Sequence, residues 1–229
     1  MEDLLKKLLH TVEMGKVSSK SSYPIHLKGQ DGSYELTKRA LDSGLSPQKI
    51  LDKSLMPAMA RVGKKFSERQ IFVPQMLMSA KAMGAAMVQL KPFFTSGALS
   101  TRGTFIIGTV KGDLHDIGKN LVSMIVEGGG WSIVDLGVDV RPVRFLEAME
   151  KYPGAIIGLS ALLTTTLESM DVTVAEIKDR DGKRKILVGG APVTQDFCNR
   201  VGADFYSPDP QNALNYLNQM ITPQISAGI

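Results

Sequence analysis

The sequence predicts an α/β protein in two parts, a helical bundle followed by a doubly wound parallel sheet. Three observations lead there. Up to about residue 95, apolar residues recur at three- and four-residue spacing, whereas from Thr101 short β-branched runs alternate with helical patterns. Those runs are continuously apolar, which marks strands buried on both faces and hence a parallel sheet covered by helices. The charge divides at the same place: residues 1–100 carry 15 basic and 8 acidic side chains, residues 101–229 carry 12 and 15.

In the first part, helices are expected near 2–14, 34–43, 46–66 and 73–94. In the third of them Ile50, Leu51, Leu55, Met59, Val62 and Phe66 share one face. Ser46 before Pro47 is a helix start with proline at the first helical position, and Pro74 opens the fourth helix in the same way. Pro57 interrupts the third pattern and predicts a kink. Ser18–Ser33 is polar and reads as poorly ordered. Four amphipathic helices with short links make an antiparallel four-helix bundle over residues 1–95, with 1–33 as a partly ordered extension. A linker is expected at 96–102.

Residues 103–229 then form the sheet domain. Strands are expected at 103–110, 131–136, 155–160, 185–189 and 203–206, and helices near 116–128, 142–151, 165–179, 192–200 and 210–221. Five such units suit a flavodoxin-like, doubly wound five-stranded parallel sheet of the Rossmann-like class.

Composition excludes several classes. With 43% hydrophobic residues in 229, the chain is neither disordered nor fibrous. No apolar run approaches the roughly 18 residues of a membrane span, and Met1–Met14 alternates charge with leucine, unlike a signal peptide. The single cysteine, Cys198, excludes a disulfide framework and a multi-thiolate zinc site, so a cytoplasmic address is expected. The basic first half raises the question of a nucleic-acid partner, but a solvated basic face explains it as well, and neither nucleic acid nor membrane is expected as a partner.

A doubly wound sheet binds ligands at the carboxyl ends of its strands, where strand order reverses; in the flavodoxin order this is between the first and third strands. The first strand runs into Lys111-Gly112-Asp113-Leu114-His115-Asp116-Ile117-Gly118-Lys119-Asn120, the third into Ser160-Ala161-Leu162-Leu163-Thr164-Thr165-Thr166, and the fourth into Gly189-Gly190-Ala191-Pro192. His115 has Asp113 two residues before it and Asp116 beside it. A carboxylate that accepts the proton of one ring nitrogen leaves the other as a lone-pair donor to a metal or a proton. One histidine cannot hold a bare zinc ion, but it can be the axial ligand of a metal already held by a macrocycle. The plainer reading is a histidine at a helix start, capped by aspartate. Gly189-Gly190 fits a tight strand-to-helix turn or the close approach of a ligand, and the hydroxyls fit helix caps or a binding slot. The six methionines Met56, Met59, Met76, Met78, Met83 and Met87 fit core filling or an apolar cover.

Asp113-x-His115-x-x-Gly118, Ser160-x-Leu162 and Gly189-Gly190 together resemble the three-part cobalamin-binding signature of corrinoid methyltransferases. The stretches 110–120 (VKGDLHDIGKN), 133–137 (IVDLG) and 157–162 (IGLSAL) are similar to the cobalamin-binding region of methionine synthase and of small corrinoid proteins. Phe66-x-Glu68, Phe72-x-Pro74-Gln75, Ser79-Ala80 and Met83 resemble the helical cap over the corrin in those proteins. The resemblance spans roughly 34–221. It implies cobalamin as cofactor, carried as methylcobalamin when loaded, with His115 as the lower axial ligand of cobalt in place of the cofactor's own base. Asp113 would hydrogen-bond the other nitrogen of His115. Thr166 would be the third member of the relay, where the pattern has a serine. Ser160, Leu162 and Thr164 would line the slot for the nucleotide tail, flanked by Gly189 and Gly190. Gly112 and Asp116 would contact the corrin, with Leu114 and Gly118 as further cofactor-binding positions. Phe72 and the cap methionines would shield the methyl face, and Glu68 matches a cap glutamate associated with the cofactor.

The same resemblance implies a methyl carrier that cycles between Co(I) and methyl-Co(III). It would work between separate donor-side and acceptor-side methyltransferases, with a corrinoid reductive activator as a further partner. Methylamines, methanol, aryl methyl ethers or glycine betaine would be donors. The length leaves no room for a barrel that activates a methyl donor. Three alternatives stand beside this one. A cobalamin-dependent regulator shares the cap and signature but needs a DNA-binding module, for which residues 1–33 are too few. The cobalamin subunit of a carbon-skeleton mutase shares the histidine signature but normally lacks the cap. The third is a structural module with a vestigial motif.

Overall fold

The computed structural model describes residues 1–95 and 100–221; within the expected linker, residues 96–99 lie outside the described residues. The chain divides into two units, residues 1–101 with 128–130, and residues 102–127 with 131 onward.

The first unit is built from α1 (Glu2–Glu13), α2 (Ser33–Asp42), a short α3 (Pro47–Ile50), α4 (Met56–Ser67) and α5 (Val73–Thr95). Leu8, Val12, Leu36, Ala40, Ile50, Leu55, Met59, Met76 and Leu90 are fully buried between these helices. Serines tie helix to helix: Ser54 donates to the Leu5 carbonyl (2.7 Å), Ser79 to that of Glu13 (2.9 Å) and Ser33 to that of Ala82 (2.6 Å). α1 is therefore part of the bundle. Of the six clustered methionines, Met59, Met76 and Met83 are buried and the other three are half-buried.

Two features differ from the expectation. The third helix does not simply kink at Pro57. It passes through a π-helical stretch, Leu51–Leu55, in which the Met56 N–H donates to the Leu51 carbonyl five residues back. Pro57 has no N–H to give to Lys53, and a register shift of one residue just before it accommodates the missing donor. Ser18–Ser33 is likewise a tied loop. The Glu35 carboxylate accepts from the Ser19 N–H (3.1 Å), the Ser19 hydroxyl (3.0 Å) and the Gly32 N–H (2.9 Å). The ammonium of fully buried Lys16 donates to the Ser21 carbonyl at 2.6 Å.

The second unit holds five parallel strands, β1 (Thr104–Thr109), β2 (Ser132–Asp135), β3 (Ile156–Ser160), β4 (Ile186–Gly189) and β5 (Phe205–Ser207), in the order β2-β1-β3-β4-β5. They alternate with α6 (Ile117–Gly128), α7 (Pro142–Lys151), α8 (Leu167–Arg180), α9 (Gln195–Val201) and α10 (Pro210–Ile221). Right-handed crossovers put α7, α8 and α9 on one face, because their connections run one way along the sheet, and α6 on the other. Side chains follow the alternation. Ile106, Ile157, Leu159, Ile186 and Val188 pack against Phe145, Met170, Val174 and Phe197. Beside α10, Phe205 stacks on Tyr216 with ring centroids 4.3 Å apart. Among the described residues no helix is long and apolar enough to cross a membrane.

β1 and β3 pair in register up to Thr109↔Ser160, so both strands end level and their following loops leave side by side. This central pair depends on a large–small match: fully buried Phe105 occupies the space where a side chain at Gly158 would stand. Gly158→Ala is expected to cost about 1–3 kcal/mol through overpacking, read as a lower urea midpoint at unchanged m-value.

Candidate functional site

The β1 loop turns at once. Gly112 adopts a left-handed φ of +84°, which glycine takes without steric cost, and the Asp113 N–H closes the turn on the Val110 carbonyl (3.1 Å). The turn buries Asp113 completely and leaves the His115 side chain 49% exposed. The Thr109 hydroxyl holds the His115 carbonyl at 2.9 Å, fixing the segment that leads into α6.

Both oxygens of the Asp113 carboxylate accept hydrogen bonds. Oδ1 takes the His115 main-chain N–H (3.0 Å) and lies 2.8 Å from His115 Nδ1. Oδ2 takes the N–H groups of Leu162 (2.7 Å) and Leu163 (3.3 Å) and the hydroxyl of Thr166 (2.9 Å). Burial by itself would push this carboxyl up. The N–H groups of Leu162 and His115, the His115 ring and the Thr166 hydroxyl outweigh it and hold the group well below the usual carboxylate range. Because an ionised carboxylate only accepts, Nδ1 carries the ring proton and Nε2 keeps its lone pair.

Thr166 stands where the family pattern has a serine, and its hydroxyl still reaches Asp113. It also lies 2.9 Å from the Leu163 carbonyl, but its one proton goes to the stronger, charged acceptor. Its extra methyl points towards Gly112, where a Cβ would sit 3.7 Å away, an ordinary contact.

The glycine pair has a structural reason besides any ligand. Gly190 has φ +123°, and a Cβ there would run into the Ala161 carbonyl oxygen; at Gly189 it would lie 3.1 Å from the Ser207 carbonyl oxygen. Gly190 thus lets the β4 loop close on the β3 loop, while Gly189 makes room for the end of β5. Ser160, half-buried, ends β3, and Thr164 is exposed at the start of the 3₁₀ turn Thr164–Thr166. Glu68 and Phe72 belong to the helical unit, at the turn between α4 and α5, and take no part in the Asp113 network; Phe72 is 68% exposed.

Several contributors escaped sequence reasoning. The Asp139 carboxylate accepts the Gly112 N–H at 2.7 Å, and its own N–H donates to the Asp113 carbonyl at 2.9 Å. Lys119, buried at the start of α6, pairs with Asp135 (2.5 Å) and donates to Asn120 (2.7 Å), whose amide in turn reaches Asp116 (3.0 Å). A lysine and an asparagine inside an otherwise apolar helix pattern were the available signal for the second network. An aspartate in the short turn after β2 was the signal for the first.

The residues present suit a large, flat, largely apolar group carrying its own metal. Among the described residues, no set of three or more His, Cys, Asp and Glu could hold a bare ion. Leu114 (72%), Ile117 (70%), Leu162 and Leu163 are exposed on the loops around His115, an apolar patch that calls for a cover. Among the described residues, and apart from its chain neighbours and its own helix backbone, no atom lies within 4 Å of where a Gly118 Cβ would stand. Packing within the protein thus gives no reason for a helical glycine, which costs about 1 kcal/mol relative to alanine.

Replacing Asp113 by asparagine should remove about 1–3 kcal/mol, since one of the two amide positions must face N–H donors whichever way the amide lies. The folded-state value of Asp113 is depressed, so its ionisation stabilises the fold fully above the ordinary carboxylate range and less as pH falls through that range towards the folded value. The gap in urea stability between wild type and D113N is therefore expected to be largest near neutral pH and to shrink below about pH 4.

Comparison with known proteins shows the family. Residues 103–214 match the B12 binding domain, and residues 30–91 match a second family model also described as a B12 binding domain. The dimethylamine corrinoid protein of Methanosarcina barkeri is 36% identical over 181 residues, covering 77% of this chain and 84% of that protein. Trimethylamine corrinoid protein 1 of Methanosarcina mazei is 37% identical over 176 residues, 75% of this chain and 82% of that protein. Among solved structures, the methanol:cobalamin methyltransferase complex MtaBC of M. barkeri superposes with a TM-score of 0.81 at 28% identity, over 96% of this chain and 80% of the matched chain. A cobalamin-binding protein from Desulfitobacterium hafniense gives a TM-score of 0.72 at 27% identity, over 97% of this chain and all of the other. From its bundle to its Asp113–His115 loop, the chain belongs to the B12-binding corrinoid proteins.

Proposed function

We propose that this protein is the methyl carrier of a corrinoid methyltransferase system, with His115 as the lower axial ligand of cobalt in place of the cofactor's own base. The observation that carries the reading is Nε2 of His115. Its ring is half-exposed, its proton is committed at Nδ1 to a buried carboxylate, and its free lone pair stands among exposed apolar side chains. When bound, a corrinoid supplies a cobalt that can take up and give up a methyl group.

The chain's own residues would orient and release that group. Asp113 holds the Nδ1 proton, and Thr166 with the Leu162 N–H keeps Asp113 charged and in place. A proton arriving at Nε2 removes the lone pair, so protonation of the His115–Asp113 unit favours release of the ligand. Ser160, Leu162 and Thr164, flanked by Gly189 and Gly190, are assigned to the nucleotide tail. Gly112, Leu114, Asp116 and Gly118 are assigned to the corrin, and Phe72 and Glu68 of the helical unit to the shielding of the methyl face.

The named relatives support a methylated amine or methanol as donor and a methyltransferase as partner. An acceptor-side methyltransferase and a reductive activator belong to the proposal as further partners. A cytoplasmic site of action goes with this reading. Mixing the reduced, corrinoid-loaded protein with donor-side methyltransferases specific for dimethylamine, trimethylamine or methanol, and following its methylation, identifies the donor.

His115→Ala is expected to retain cobalamin, weakened by no more than about tenfold because the tail and corrin contacts remain. Its visible spectrum is expected to change from the His-on to the His-off form. An unchanged spectrum would overturn the assignment of His115 as ligand.

A further inference from the structure

One residue beside the relay is in an unusual conformation. Asp139, in the loop between β2 and α7, has φ +53°, a left-handed conformation uncommon for any residue with a Cβ but more accessible to aspartate than to most. Such backbone persists where the surroundings hold it, and here they do. The Thr109 N–H donates to the Gly137 carbonyl (3.0 Å), and the Val140 N–H donates back to the Thr109 carbonyl (2.9 Å). Val110 and Val140 form a parallel bridge, so the loop after β2 runs alongside the loop after β1.

Asp139 is thereby set to hold the Gly112-Asp113 dipeptide at both ends, through the peptide groups on either side of it. Its Oδ1 accepts the N–H of Gly112 at 2.7 Å, and its main-chain N–H donates to the carbonyl of Asp113 at 2.9 Å. The peptide unit between those two groups carries Asp113, whose side chain is held from the opposite direction by Leu162, Leu163 and Thr166. Gly112 contributes little stiffness of its own. It is in the left-handed region and packs against nothing closer than an ordinary contact.

We propose that Asp139 is a positioning residue for the axial histidine: it clamps the Gly112–Asp113 peptide, so that the Asp113 carboxylate presents Oδ1 to His115 while Oδ2 stays on the β3 loop. The inference rests on the reading of His115 as ligand only for its spectroscopic consequence; its effect on the ring proton stands in the cofactor-free protein.

Asp139→Gly is the informative variant. Glycine adopts the left-handed backbone freely and keeps the N–H donated to Asp113, so the substitution removes the carboxylate alone. Asp139→Asn tolerates the same backbone and retains an oxygen acceptor for the Gly112 N–H. In the cofactor-free full chain, imidazole ¹⁵N shifts are expected to report a single Nδ1–H form of His115 in wild type and in D139N. In D139G they are expected to report a mixture of ring-proton positions. After loading with cobalamin, the ratio of His-on to His-off spectra is expected to fall about fivefold in D139G and to stay within about twofold of wild type in D139N, with both variants fully folded at the temperature of measurement.

D139G matching wild type in both ring shifts and spectrum would overturn the proposal. So would a spectral change that appears only in proportion to lost folded protein. Failure of the parent reading looks different: His115→Ala would leave the spectrum untouched, and the ¹⁵N shifts of D139G would still decide whether Asp139 holds the relay.

Discussion

The buried carboxylate of Asp113 is the interaction on which the rest of the site depends. It is fully buried and ionised, a combination that persists only if every lone-pair direction is answered by a donor. Those donors come from two places far apart in the chain: His115 two residues away, and Leu162, Leu163 and Thr166 in the loop after β3. One side chain thus fixes the two loops at the switch point relative to each other. Glutamate would carry its charge one methylene further into a turn already closed by hydrogen bonds, and asparagine could satisfy only one of the two sets of donors.

The sheet makes this possible before any of these side chains act. β1 and β3 end level at Thr109↔Ser160, so a carboxylate from one loop can reach main-chain N–H groups of the other. Gly190 then lets the third loop pass the Ala161 carbonyl at a separation no side chain would permit. Three glycines near the centre therefore act at different levels. Gly158 makes room for Phe105 in the core, Gly112 turns the loop, and Gly190 brings two loops together.

Strands, helices and the switch point were legible in the sequence because each rests on local signals: continuous apolar runs, three- and four-residue periodicity, and proline at helix starts. The relay of Asp113, His115 and Thr166 was also legible, since a two-residue spacing and a recognisable three-part pattern carry it. Other features were not, for a common physical reason. The tied loop at Ser18–Ser33 depends on Glu35 and Lys16 finding main-chain partners, which polarity alone cannot distinguish from solvation. Lys119 is charged yet buried because Asp135, 16 residues on, meets it. Asp139 was invisible because its role lies in a main-chain conformation. The π-helical stretch before Pro57 was half legible: the missing donor could be foreseen, but not that the chain would absorb it by a register shift instead of a bend.

The same carboxylate also decides where a proton can act. Asp113 is held well below the usual carboxylate range, and the donors at its Oδ2 belong to the loop after β3, apart from His115. Of the pair, Nε2 of the imidazole is the atom whose lone pair takes no part in these hydrogen bonds. Holding and switching are in this way assigned to different atoms. In the reading proposed above, the loops would stay fixed through Asp113 Oδ2 while coordination would change at Nε2 of the half-exposed His115 ring. Under that reading, a site built so would let go of an axial ligand without loosening the loops around it, as a carrier passing through more than one coordination state would require.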